Sequence, residues 1–135
     1  MKGILADVHM RGFIPALIRE MQSEYWADYW NHVGPAFYDF KDVGLTATST
    51  DLEIWRRCQT EQLVLLTDNR SQHTDDSLET AIRTLNTPNS LPVFTIGDLD
   101  RLGKSRPYAD EVVEQIYDYL LDIDRVRGAG RLYLP

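Results

Sequence analysis

Short unbroken apolar runs alternate along this chain with apolar stripes spaced three and four residues apart. Residues 3–8 (GILADV) form the first run, with Asp7 near its C-terminal end; this predicts a buried strand. Phe13, Ile14, Leu17, Ile18 and Met21 then make one helical stripe within residues 11–21. Residues 22–35 are aromatic-rich, close on Gly34-Pro35, and read as a helix end, a loop or a surface insertion. Residues 36–41 (AFYDFK) alternate and predict a second strand, followed by a loop over 42–49. Thr50 and Glu53 match a capping box, opening a helix that runs to about Gln59. Residues 63–67 (LVLLT) are the clearest buried strand, ending in Asp68, with polar loop over 69–74. Leu78, Ala81, Ile82 and Leu85 predict a helix over 75–85, broken by Thr87-Pro88-Asn89. Residues 91–96 predict a fourth strand and 107–126 a long helix, apolar at Val112, Val113, Ile116, Tyr119, Leu120 and Ile123. The tail GAGRLYLP reads as a short edge strand or as disorder.

This alternation predicts an α/β fold: a mostly parallel four- or five-stranded sheet flanked by helices, as one domain over 1–135 without repeats. Such sheets bind ligands outside the C-terminal strand ends, at a switch in strand order. Asp7 and Asp68 both sit at such ends, and they converge if their strands are neighbours.

Composition narrows the functional classes. Of the 135 residues 43% are hydrophobic and 26% charged, which excludes a disordered chain. A single cysteine, Cys58, excludes an intrachain disulfide framework and a cysteine-cluster zinc site. No apolar run approaches the ~18 residues of a membrane span, and the N-terminus lacks the apolar core of a signal peptide; a cytoplasmic protein is expected. A net charge of −7 argues against coating nucleic acid by charge alone. It leaves open an enzyme that touches a few phosphates through metal ions.

The candidate chemistry is acidic. Asp51 lies in the first turn of its helix, three and four residues before Ile54 and Trp55, which places it on the buried edge. Its bland role is a favourable charge at the helix dipole. Glu53 points about 200° away, at ~100° per residue, and has its own uses in the cap and in an i,i+4 pair with Arg57. Asp68 ends a fully apolar strand. Asp7, Asp51 and Asp68 together could hold Mg²⁺ or Mn²⁺, which prefer oxygen ligands. Such metals activate water and stabilise a leaving oxygen on phosphorus. Asp75 and Asp76 could add a ligand or cap the next helix.

Ile4-Leu5-Ala6-Asp7, then Thr50-Asp51-Leu52-Glu53-Ile54-Trp55, then Leu63-Val64-Leu65-Leu66-Thr67-Asp68 resembles the PIN-like nuclease domains. It is closest to their short bacterial branch of unknown function. The resemblance covers roughly residues 3–97 and rests on the order and spacing of the motifs, with Asp51 and Asp68 separated by 17 positions. It implies a parallel sheet with clustered acids that bind Mg²⁺ or Mn²⁺ and cut single-stranded or structured RNA. It also implies toxin-like action, with an antitoxin protein as a possible partner. Asp7, Asp51 and Asp68 carry over as catalytic and metal acids, and Thr67 as a hydroxyl near metal or phosphate; Asn69 and Arg70 follow as substrate-binding candidates. The family's further acid has no clear counterpart among Glu20, Glu24, Asp28, Asp39 and Asp42. The family's aromatic two residues after the last acid is absent, because Asn69-Arg70 follow Asp68. The aromatic stretch around 22–40 and the helix at 107–126 look like additions to the family's pattern.

His9 and His32 are weaker candidates for ligands or bases. Trp26, Tyr29 and Trp30 could stack bases, but fit packing or a homodimer contact better. Arg125, Arg127 and Arg131 form a small basic tail suited to weak nucleic-acid binding or to the preceding helix's dipole. Two other functions compete: an inactive PIN-like module that binds RNA or protein, and a receiver-like domain with Asp68 as phospho-acceptor and Lys104 as its cation.

Overall fold

A computed structural model describes residues 1–69 and 77–135. The expected α/β architecture is present: five parallel strands in the order β2-β1-β3-β4-β5. β1 is Gly3–Ala6, β2 Phe37–Tyr38, β3 Leu63–Thr67, β4 Val93–Thr95 and β5 Arg131–Tyr133. The tail therefore completes the sheet as an edge strand, pairing Val93 with Arg131 and Thr95 with Tyr133.

β1, β3 and β4 are buried along their whole length, as expected for a parallel sheet covered on both faces. Side chains alternate across it. Ile4, Ala6, Val64, Leu66 and Phe94 enter the core on one face; Leu5, Leu63, Leu65 and Val93 enter the core on the other. The first face is covered by α1 (Ile14–Met21), α2 (Ala27–Val33), the short α5 (Leu99–Leu102) and α6 (Arg106–Leu121). The second is covered by α3 (Asp51–Glu61), α4 (Leu78–Leu85) and the 3-10 turn Phe40–Val43. No helix among the described residues is long and apolar enough to cross a membrane.

Three expectations are refined. The second strand is only two residues long, because Asp39 and Asp42 close a reciprocal capping box that starts the 3-10 turn. That turn ends on Gly44 at φ 75°, a left-handed conformation suited to glycine. The aromatic stretch is helical, a 3-10 turn at Glu24–Trp26 leading into α2, and Trp26 takes the packing role expected of it. Trp26 is 5% exposed, its indole N–H donates to Asp110 of α6 at 2.7 Å, and its ring packs on Tyr117. The last long helix stops at Leu121 and is followed by a 3-10 turn, Ile123–Val126.

The β3–β4 and β4–β5 links step the same way across the sheet, yet α4 and α6 lie on opposite faces. The β4–β5 crossover therefore has the opposite hand to the other three, against the usual right-handed preference. It lets α6 descend beside α1, where the Tyr117 hydroxyl donates to the Met21 carbonyl at 2.7 Å.

Candidate functional site

The strand order reverses direction between β1 and β3, and a cavity of about 530 Å³ opens at their C-terminal ends. Asp7, Asp51 and Asp68 all line it, together with His9, Ser49 and Asn69. Three acids from three separate segments thus open on one space. β1 pairs directly with β3, Ala6 opposite Leu66, and this register brings Asp7 and Asp68 to the same edge.

A hydrogen-bond chain fixes two of the acids. The Thr67 hydroxyl, fully buried, donates to Asp7 Oδ2 at 2.6 Å and accepts from the Asn69 amide at 3.0 Å. The Asn69 side-chain amide donates to Asp51 Oδ2 at 3.1 Å, and the Leu78 backbone N–H donates to the same oxygen at 3.0 Å. Asp7 is 8% exposed and is further held by its own N–H on the Leu66 carbonyl at 2.9 Å. Asp51 stands at the first position of α3 and also meets the first N–H of α4, so two helix N-termini favour its charge. Asp68 is half-buried and makes no side-chain hydrogen bond among the described residues. Thr67 therefore acts through Asp7, and Asn69 through Asp51; both are held in the protein's own network.

Asn69 is held from below by Arg131. Its side chain is 5% exposed and pairs with Glu79 at 3.0 Å. It also donates to the Asn69 carbonyl at 2.8 Å and to the Thr95 hydroxyl at 2.7 Å. Arg131 is thus a buried bridge between β5, β4, α4 and Asn69, not part of a basic tail. Arg127 is likewise engaged, with Asp124, Gln62 and the Asn89 carbonyl, while Arg125 is exposed. No sequence signal marked Arg131, since it lies 62 positions from the residue it holds.

The remaining candidates divide. His9 is exposed at the rim of the cavity, whereas His32 is exposed on α2. Arg70, Asp75 and Asp76 lie outside the described residues. Glu53 turns back to Thr50 in the cap, and its expected partner Arg57 instead donates to the Val43 carbonyl. Tyr25 and Tyr29 are exposed beside the buried Trp26. Lys104 lines a separate cavity with Arg19 and Arg106. Cys58 lies buried in α3; burial, and secondarily the Asp7 charge, push its thiol up to about 12.

The donor set suits a hard cation in type, because all three acids are carboxylates. Among the described residues, however, no group of three or more His, Cys, Asp or Glu side chains lies close enough to hold a metal ion. An ion at this site would have to keep most of its waters and take one or two direct carboxylates, the habit of Mg²⁺. No Lys or Arg among the described residues lines the cavity. The chain matches no family model, no curated protein and no solved structure.

Proposed function

We propose that this chain is a Mg²⁺- or Mn²⁺-dependent endoribonuclease of PIN-like type. One observation carries the proposal: Asp7, Asp51 and Asp68, from two strand ends and one helix start, line a single cavity at the sheet's switch point. RNA as substrate comes from the resemblance of the three motifs. Asp7 and Asp68 would hold the ion, with Asp51 as ligand or as acceptor for its waters. When bound, the ion would lower the pKa of a coordinated water and offset charge on the phosphoryl oxygens. Thr67 and Asn69 hold one oxygen each of Asp7 and Asp51, which leaves the other oxygens of these acids for the ion or its waters.

A second reading has one observation in its favour. The strand order is that of receiver-type doubly wound sheets, and Asp68 stands at the end of β3. Its cation is misplaced, because Lys104 lines a different cavity.

The test is cleavage of single-stranded RNAs with Mn²⁺, with Mg²⁺ and with chelator. Metal-dependent cutting is expected, and Asp7→Asn should reduce it at least ~100-fold, beyond the loss typical of an outer-shell change. No cutting by the folded protein would shift the assignment to a binding module. Labelling of Asp68 by acetyl phosphate would shift it to the receiver. Unchanged Mn²⁺ affinity in both Asp7→Asn and Asp68→Asn would sink the metal site.

A further inference from the structure

The acidic cavity does not end at a wall. Val8, Phe40 and Ala47 line both it and an adjoining groove of about 200 Å³. Cations appear across that boundary. No described Lys or Arg lines the acidic side, while Arg11 and Lys41 both line the groove. Both cations are exposed, and neither makes an ion pair or side-chain hydrogen bond among the described residues. One acid, Asp39, also lines the groove. Its Oδ1 accepts from the Asp42 N–H at 3.3 Å, and its own N–H donates to Asp42 Oδ2 at 2.9 Å.

The backbone ties both cations to the site. Arg11 follows the 3-10 turn Val8–Met10 that Asp7 opens, with its N–H on the Val8 carbonyl at 3.4 Å. Lys41 follows Phe40 in the 3-10 turn whose first residue lines both spaces. In a chain of net charge −7, two unpaired cations beside three acids form a complementary pair of surfaces. The acids repel a phosphodiester unless a cation screens them, whereas the groove attracts one directly.

We propose that the Arg11–Lys41 groove is a backbone-phosphate subsite for single-stranded RNA. It would hold the phosphate next to the one presented to the acids. This rests on the nuclease reading and adds a substrate requirement: the strand must extend beyond the scissile phosphate. Arginine can engage phosphate oxygens bidentately and lysine as a point charge, so neither contact reads sequence.

The experiment is fluorescence anisotropy of a labelled ten-nucleotide oligouridine, with chelator present so that nothing is cut. Arg11→Ala, Lys41→Ala, their combination and Arg125→Ala are compared, the last as a charge-matched control. The groove variants should weaken binding several-fold each and flatten log K against log salt by about 0.7 per lost contact. Arg125→Ala should keep both affinity and slope. Groove variants that behave like Arg125→Ala, or a wild type that binds no oligouridine at low salt, would overturn the subsite. Cutting assays on the same proteins separate the two proposals. Groove-dependent binding without metal-dependent cutting removes the nuclease and leaves the subsite. Metal-dependent cutting with groove-independent binding does the reverse.

Discussion

The two ends of the sheet handle polar groups in opposite ways. At the N-terminal ends of the strands, Gln59 of α3 acts as a substitute backbone. Its Nε2 donates to the Leu91 carbonyl at 3.0 Å, and its Oε1 accepts from the Leu91 N–H at 2.9 Å. Nearby, the backbone N–H of Gly128 donates to the Ser90 carbonyl and that of Lys2 to the Gln62 carbonyl. The Gln59 side chain thus serves backbone groups that would otherwise be buried unpaired. At the C-terminal ends the pattern inverts. Thr67 and Asn69 each satisfy only one oxygen of an acid, and three carboxylates are left facing a cavity. A polar network that only holds a fold closes on itself, whereas this one keeps acceptors in reserve. Keeping unpaired carboxylates together costs stability, so their retention is itself an argument for a ligand.

If the ends are separable in this sense, one change at each should divide stability from activity. Gln59→Ala should have the larger effect on the fold. It strands the N–H and carbonyl of the fully buried Leu91, which should lower unfolding free energy by about 2 kcal/mol. Urea unfolding reads this directly, and RNA cutting per folded molecule should not change. A parallel loss of cutting would show that the ends are coupled. Thr67→Val should do the opposite. It removes the donor to Asp7 and should weaken apparent Mn²⁺ affinity in the cutting assay by about 10–100-fold, the range for outer-shell partners of metal ligands. Its cost to folding should be smaller, about 1 kcal/mol. Cutting with wild-type Mn²⁺ dependence in Thr67→Val would mean that Asp7 needs no positioning.

The acids were legible because each breaks a pattern. Asp7 and Asp68 end runs that are otherwise apolar, and Asp51 shares a helix edge with Ile54 and Trp55, both buried. Thr67 and Asn69 were legible as site residues, but not as partners of Asp7 and Asp51, since nothing local marks a contact between distant segments. Asn69 reaches Asp51 across 18 positions, and Arg131 reaches Asn69 across 62. The packing role of Trp26 was legible, but its partner was not, for the same reason. Trp26 is core only because α6 returns beside α1, and that return depends on the hand of the last crossover, which no hydrophobic period encodes. By contrast, the short second strand had an available signal. Asp39-x-x-Asp42 carries the spacing of a capping box with Asp in place of Glu, and it ends the strand at Tyr38.

The smallest expected effect joins the site to the core beneath it. Cys58 lies under the acids on α3, 1% exposed, with its thiol held at about 12 by burial first and the Asp7 charge second. A thiol ionises in the unfolded chain near its ordinary 9.0. The folded state binds this proton more tightly, so its contribution is complete below pH 9 and is lost as pH rises from about 9 towards about 12. Tyr117, raised to about 12 by burial, adds a loss of the same sign above its ordinary 10.0. The urea midpoint should therefore fall between pH 9 and 11, and Cys58→Ala should flatten the early part of that fall. The thiol should also resist Ellman's reagent at pH 8 until urea unfolds the chain. Rapid labelling of the native protein would mean that the helix beneath the acids opens readily, and that the site lacks the rigid floor on which Asp51 depends.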